Sequence, residues 1–418
     1  MKILYVLGTF PKISSEAFIL NEMVELVKLH HDVHIIADRR ELDRAHKEAF
    51  EYGLIDRTIA PGRDYRRGLD KLIDFTGKSS MGILRQPVDT LKLLSKICRY
   101  IKDPWVIMDI YLSLINIKDL DVDLIHSPFS NSKNLLRAYL ISSSKKVPFT
   151  NTMRAREIYH SVESKELDNL SEILKKSGSI MTISDFNKNY IENRFGIKNV
   201  SVIRSAINTE KFKPLHDPKK KKKKRITTIC RFIEKKGIEY LIEAISIIHG
   251  YGNNDFEFLL IGDGPLKEKY EVLIEEKGLS ERSSIESRLT QEEIVQELSD
   301  TMIFCLPSII AHDNDMDMLP NSIKEAMAME IPVLTTKMPG IEELIENEIN
   351  GILVEQRNSG EIARALIRLM EDPELRSYLG KNGRNTIIRR FSAEKEVVKL
   401  ERIFRSVTND RCKANSDR

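Results

Sequence analysis

Hydrophobic positions in this chain follow two alternating rhythms. Short unbroken apolar runs read as strands buried on both faces, and longer stretches with apolar residues every three or four positions read as amphipathic helices. Lys2 to Gly8 is the first strand. Phe18, Ile19, Met23, Leu26 and Val27 then recur with helical period, and Val33 to Ala37 forms the next strand. Asp123–His126, Val147–Thr150, the run from Ile180 with a cap at Ser184 or Asp185, a helix over Asn187–Phe195 and the strand Val200–Ile203 continue the series. The alternation resumes with strands Ile226–Cys230, Phe256–Ile261 and Ile303–Leu306 and helices Ile238–His249, Leu266–Lys277 and Glu292–Ser299. This pattern predicts α/β domains with parallel sheets, which bind ligands beyond the carboxyl ends of their strands.

The stretch Asp313–Val354 is the densest in signals. Pro320 suits a first helical position, Asn321–Met329 carries a short helix, Ile331–Thr336 a buried strand, Gly340 to about Glu346 a second helix, and Asn350-Gly351 turns into Ile352–Val354. The first of these helices would direct its unpaired N–H groups and positive dipole end at a bound phosphate. Asp317 lies in the loop before that helix and Glu325 about a turn and a half inside it, so both carboxylates can face one ligand. The plainer alternative makes Asp317 a cap and Glu325 part of a solvated face. Amphipathic helices Ser359–Met370 and Pro373–Arg389 follow, then a last helix through Arg405, and the polar tail from Thr408 is expected to be disordered.

Composition bounds the class. With 418 residues, 41% of them hydrophobic, the chain has material for two or three domains. Cys98, Cys230, Cys305 and Cys412 are scattered without metal-ligand spacing, as expected of free thiols in a reducing cytoplasm. The first apolar run stops at Gly8, too early for a signal-peptide core, and no stretch reaches the length of a membrane span. The lysine run Lys219–Lys224 reads as a solvated loop; no aromatic residue is interleaved with it, and no nucleic-acid partner is expected. Tyr65–Leu120 mixes cations such as Arg66, Lys71, Lys92 and Arg99 with Leu, Ile and Met. That face either lies on anionic lipid, placing the protein peripherally at the inner face of the membrane, or is an ordinary layer covering the sheet.

Several motifs then fall in one order: Phe10-Pro11-x-x-Ser15-Glu16 with Phe18-Ile19-x-Asn21-Glu22, Arg231 with Lys236-Gly237, Gly262-Asp263-Gly264-Pro265, and Asp317-x7-Glu325 before Ala326-Met327-Ala328. Jointly they resemble the retaining glycosyltransferases of family 4, in particular the exopolysaccharide and colanic-acid type. The resemblance implies the α/β GT-B fold, two Rossmann-like domains facing each other across a cleft. Residues 1–206 would bind acceptor, 207–388 would bind nucleotide sugar, and 389–407 would return as a helix onto the first domain. It implies transfer of a sugar from a nucleotide-sugar donor to a glycan or lipid-linked glycan acceptor in polysaccharide biosynthesis, with no metal and no cofactor. Asp317, Glu325 and Arg154 would be catalytic; Arg231, Lys236, Gly262, Arg288, Leu289, Met318, Leu319 and Glu325 would bind the donor. In that scheme Arg231 and Lys236 hold the diphosphate, because fixed cations stabilise the charge a leaving nucleoside diphosphate acquires. Asp317 would hold sugar hydroxyls and Glu325 the ribose.

Some positions depart from the family pattern. Met318 stands where the family has Gly, and a left-handed backbone there would cost about 1–2 kcal/mol, so a strained or reshaped loop is expected. Arg154 stands at the place of a His, where it would bind a donor phosphate, bind an anionic acceptor, or serve in a structural ion pair. Arg204-Ser205-Ala206 replaces Asn-Gly, and Cys230 replaces Gly. The departures at Met318, Arg154 and Arg204–Ala206 keep a catalytically inactive binding or scaffold subunit in view, and the fold also admits a sugar-nucleotide epimerase or a phosphorylase, though no motif for a phosphorylase's pyridoxal-bound lysine is present. Asp313-Asn314-Asp315 contains the Asp-x-Asp pattern of metal-dependent transferases, but its place before a helix of the second domain reads as a solvated loop.

Overall fold

The computed structural model describes residues 1–11, 17–42, 45–60, 73, 75–80, 87–154, 158, 171–215, 224–252, 255–287 and 289–416. The chain divides into two compact units, one of Met1–Ile183, Asn187–Ile203 and Val397–Arg418, the other of Ser184–Phe186 and Arg204–Glu396.

In the first unit, β1 (Lys2–Phe10), β2 (Asp32–Arg40), β3 (Thr58–Ile59), β4 (Leu124–Ser127), β5 (Phe149–Met153), β6 (Ser179–Thr182) and β7 (Ser201–Val202) form one parallel sheet in the order β3-β2-β1-β4-β5-β6-β7. Chain order reverses between β1 and β4, which makes the carboxyl ends of those two strands a switch point. Successive β1 residues feed opposite faces. Leu4 and Val6 join one core with Ile125 and Ile141, while Ile3, Tyr5 and Leu7 join another with Met23 and Ile35. Both faces are covered, so the strand reads as a continuous apolar run.

The last helix, Ala393–Ser416, sends Val397, Leu400 and Phe404 into the second of those cores. Its extension to Ser416 corrects the disordered tail expected from Thr408. Extending an existing helix fixes one residue per added hydrogen bond, so a polar segment continues what the buried Phe404 anchors.

In the second unit, β8 (Arg225–Ile229), β9 (Glu257–Ile261), β10 (Ser283–Glu286), β11 (Ile303–Leu306), β12 (Val333–Thr336) and β13 (Ile352–Val354) form a parallel sheet in the order β10-β9-β8-β11-β12-β13. The reversal here lies between β8 and β11. Helices Ile238–Gly250 and Asn321–Ala328 follow those two strands; the second starts at Asn321 as expected, with Pro320 as its N-cap rather than its first helical residue, and ends one residue earlier, with Met329 as its C-cap.

The helix expected over Gly340–Glu346 is instead a series of turns. Ile345 N–H still donates to the Ile341 carbonyl, but Asn350 Oδ1 takes the Glu346 N–H at 2.8 Å and Asn350 Nδ2 donates to the Leu344 carbonyl at 3.2 Å. A side chain five or so residues downstream thus diverts the backbone groups that a helix would have paired.

Candidate active site

Two loops leave the adjacent strands β8 and β11 at the switch point of the second unit, and backbone hydrogen bonding ties them together. Ile309 N–H donates to the Lys235 carbonyl at 2.8 Å. Lys235 and Lys236 close a short 3-10 turn, Glu234–Lys236, and both reach the β11 loop. Lys236 Nζ donates to Asp317 Oδ2 at 2.6 Å, and Lys235 Nζ lies 2.9 Å from Asp315 Oδ1 and 3.7 Å from Asp317 Oδ1. Ser308 Oγ donates to the same Asp317 Oδ2 at 2.7 Å.

Asp317 is buried. Burial alone would raise its carboxyl, but Lys236, Lys235 and the Ser308 hydroxyl together outweigh that and hold it below the ordinary aspartate value. Burial disfavours the Lys236 ammonium as well, and the Asp317 carboxylate overcomes this and raises it. Beside them, burial pushes the Cys230 thiol up to about 12 against the pull of Lys236, so it is a neutral neighbour at physiological pH. Gly262 lies against this loop, where a Cβ would stand 1.8 Å from the Cys230 carbonyl oxygen, so only glycine permits the approach.

Arg231 is exposed, and among the described residues no carboxylate pairs with it. The helix Asn321–Ala328 starts without a capping side chain, which leaves its first-turn N–H groups available to an anion. Glu325 on that helix is half-buried; burial pushes its carboxyl up to about 7, with Lys324 and Lys211 opposing. Met318 and Leu319 are buried, and Leu289 packs against the core of this unit, so any donor contact at these three would come chiefly from backbone. Arg288 lies outside the described residues.

Met318 does not adopt positive φ, so the strained backbone expected there is not found. Arg204 is engaged structurally: Nη2 bonds Asp185 Oδ2 at 2.5 Å and its N–H donates to Glu396 Oε2 at 2.8 Å. Asp313 Oδ1 accepts the Asp315 N–H at 3.0 Å, closing a local turn, while Asp315 pairs with Lys235. Among the described residues no group of three or more His, Cys, Asp and Glu is arranged to hold a metal ion.

Arg154 belongs to the first unit, just beyond β5. Its Nε donates to the Pro128 carbonyl at 3.0 Å, and its guanidinium lies 4.3 Å from the ring centre of Phe18 and 5.4 Å from that of Phe129. Behind it, Tyr5 Oη donates to Glu22 Oε1 at 2.6 Å, and His126 Nδ1 is 3.0 Å from Thr150 Oγ1. Burial, aided by the Arg154 charge, lowers His126 to about 3, so this ring is neutral. Burial raises Glu22, with the Tyr5 hydrogen bond and Arg154 opposing.

The structure therefore brings together Lys236, Asp317 and Gly262 in one place, with Lys235 and Ser308, to which the sequence assigned no role, and with Asp315, which the sequence read as part of a solvated loop but which is half-buried and paired with Lys235. Only their position past the ends of β8 and β11 could have signalled these three.

Comparison with known proteins agrees with this architecture. Residues 208–386 match the family model for glycosyl transferases group 1. AmsK of Erwinia amylovora, an amylovoran biosynthesis glycosyltransferase, is 28% identical over 393 residues, covering 89% of this chain and 91% of its own. WcaL of Escherichia coli, a putative colanic acid biosynthesis glycosyltransferase, is 25% identical over 88% of this chain and 90% of its own. Among solved structures, HepE of Anabaena in complex with UDP-glucose superposes with a TM-score of 0.70 at 16% identity, covering 97% of this chain and 100% of that one. The fold is GT-B, two Rossmann-like α/β domains, and the chain is a glycosyltransferase. Residues 208–386 are its group 1 glycosyltransferase domain.

Proposed function

We propose that the protein is a retaining, metal-independent glycosyltransferase that moves a sugar from a nucleotide-sugar donor to a glycan or lipid-linked glycan acceptor in exopolysaccharide synthesis. The observation that carries this reading is the pair of lysines, Lys235 and Lys236, fixed by Asp315 and Asp317 at the switch point of the second unit. Two positioned cations, exposed Arg231 and the uncapped helix at Asn321 suit a diphosphate whose charge grows as its bond to the sugar breaks. Glu325 binds the ribose. The names of AmsK and WcaL support an exopolysaccharide product, and the UDP-glucose bound to HepE supports a nucleotide sugar as donor.

In this mechanism the bond between the anomeric carbon and the diphosphate oxygen breaks while the acceptor oxygen bonds to the same face of that carbon. The acceptor proton passes to the departing diphosphate. Asp317 already accepts from Lys236 and Ser308, which favours a role in positioning over one as nucleophile. Arg154, steadied by two aromatic rings, serves the acceptor side. Met318 carries no left-handed strain and Arg204 is spent on an ion pair, so neither departure favours an inactive subunit.

We place the enzyme at the cytoplasmic face of the membrane. No helix among the described residues is long and apolar enough to cross a membrane. Leu91 and Trp105 are exposed near the exposed cations Lys92, Arg99 and Lys102, a composition suited to anionic lipid.

A panel of nucleotide sugars tests the donor reading by thermal stabilisation, with and without EDTA. A donor at a hundred times its dissociation constant adds about 2.7 kcal/mol. Stabilisation by none of the panel, or only by metal-loaded donor, would refute it. Flotation with anionic vesicles tests the membrane reading, which fails if the protein stays unbound at low salt.

A further inference from the structure

We propose that Ser308 is a positioning residue for glycosyl transfer: its hydroxyl fixes the Asp317 carboxylate, which in turn aims the Lys236 ammonium. The inference rests on the reading of Lys236 as a ligand of the donor diphosphate.

Ser308 stands two residues past the end of β11 and is fully buried. Every polar group it owns is engaged. Its N–H donates to the Leu306 carbonyl at 3.0 Å, its carbonyl accepts from Thr336 Oγ1, and its hydroxyl donates to Asp317 Oδ2. The next residue, Ile309, is bonded to the Lys235 carbonyl. Ser308 is thus tied to its own strand, to β12 and, one residue on, to the lysine turn after β8, so its hydroxyl has a defined position relative to both lysines.

That position matters because Asp317 Oδ2 accepts from Ser308 and Lys236 together, at 2.7 and 2.6 Å. A carboxylate held by flexible lysines alone can rotate about its side-chain bonds and carry the ammonium with it. A second donor from a rigid, buried serine fixes the oxygen, and the lysine follows. Among the described residues, the other charged or titratable groups that act at this cluster include Lys235, Asp315 and Cys230. Asp315 already holds Lys235, and the Cys230 thiol is neutral, so neither replaces the serine. Only a hydroxyl small enough for this buried place performs the task, which predicts that threonine substitutes and alanine does not.

The test uses the full chain and inorganic pyrophosphate, a probe common to any nucleoside diphosphate, in titration calorimetry alongside donor and acceptor kinetics. S308A is expected to weaken pyrophosphate binding and raise the donor KM about 10-fold, the loss of one charge-assisted hydrogen bond, with the acceptor KM unchanged. S308T is expected to lie within about two-fold of the wild type on this scale. A merely structural role would lower Tm and leave the ratio of donor to acceptor KM unmoved, and that result overturns the proposal, as does S308A binding pyrophosphate like the wild type. If S308A does not fold, S308C, similar in size with a weaker donor, supplies the same readouts. A wild type that binds neither pyrophosphate nor any nucleotide sugar refutes the donor reading itself, an outcome distinct from an unaffected S308A.

Discussion

Gly340 lies against Met318 so closely that a Cβ at position 340 would stand 2.3 Å from the Met318 carbonyl oxygen and 2.4 Å from its Cα. The loop carrying Asp317 therefore rests on the backbone after β12. Gly340→Ala must push that loop aside, and overpacking of this kind costs about 1–3 kcal/mol. We expect lower stability in denaturant melts and a raised donor KM. Met318→Gly, which restores the residue usual in the family, has no left-handed strain to relieve and loses a buried side chain, so it should destabilise by about 2–5 kcal/mol. A stabilised Met318→Gly protein would contradict the geometry.

The strands were legible because parallel strands covered on both faces read as apolar runs, as Ile3–Leu7 and Ile303–Leu306 do. The turns after Gly340 were not. Ile341, Leu344 and Ile345 have helical spacing, and what prevents the helix is Asn350, whose reach back to Glu346 and Leu344 no local pattern reveals. The site divides in the same way. The family resemblance singled out Lys236, and the interval to Glu325 singled out Asp317, but their pairing depends on β8 and β11 being neighbours, a consequence of strand order across about eighty residues. Ser308 carried no signal beyond its place after a strand.

Asp317→Asn leaves the Lys236 ammonium in a largely buried site without its counter-charge, which costs about 3–5 kcal/mol when a buried pair is broken. The pH dependence has a definite sign. The folded-state carboxyl is held below its ordinary value, so its stabilising contribution is present above that value and is lost as pH falls through the lowered one. Melting temperature against pH should therefore show a steeper acid decline in the wild type than in Asp317→Asn. Parallel curves would contradict the pairing.

Glu325 has the opposite sign. Its carboxyl is raised to about 7 in the folded protein, so its contribution is fully present below the ordinary glutamate value and is lost as pH rises through about 7. Glu325→Gln should flatten that part of the stability profile and gain on the wild type above neutrality. It should also weaken donor binding, because a neutral amide makes weaker hydrogen bonds to ribose hydroxyls than a carboxylate does. Unchanged donor affinity from pH 6 to 8, in a range of about one unit either side of neutrality, would remove Glu325 from the donor site.

The central claim is that the lysine turn after β8 holds the donor diphosphate, and the donor kcat/KM of Lys236→Ala tests it most directly. Removing one fixed donor of this kind costs about 10²–10³ in rate. We therefore predict a fall of that order, in a variant that still melts cooperatively and transfers sugar with the same product configuration. A folded Lys236→Ala enzyme with the donor kcat/KM of the wild type would contradict the account.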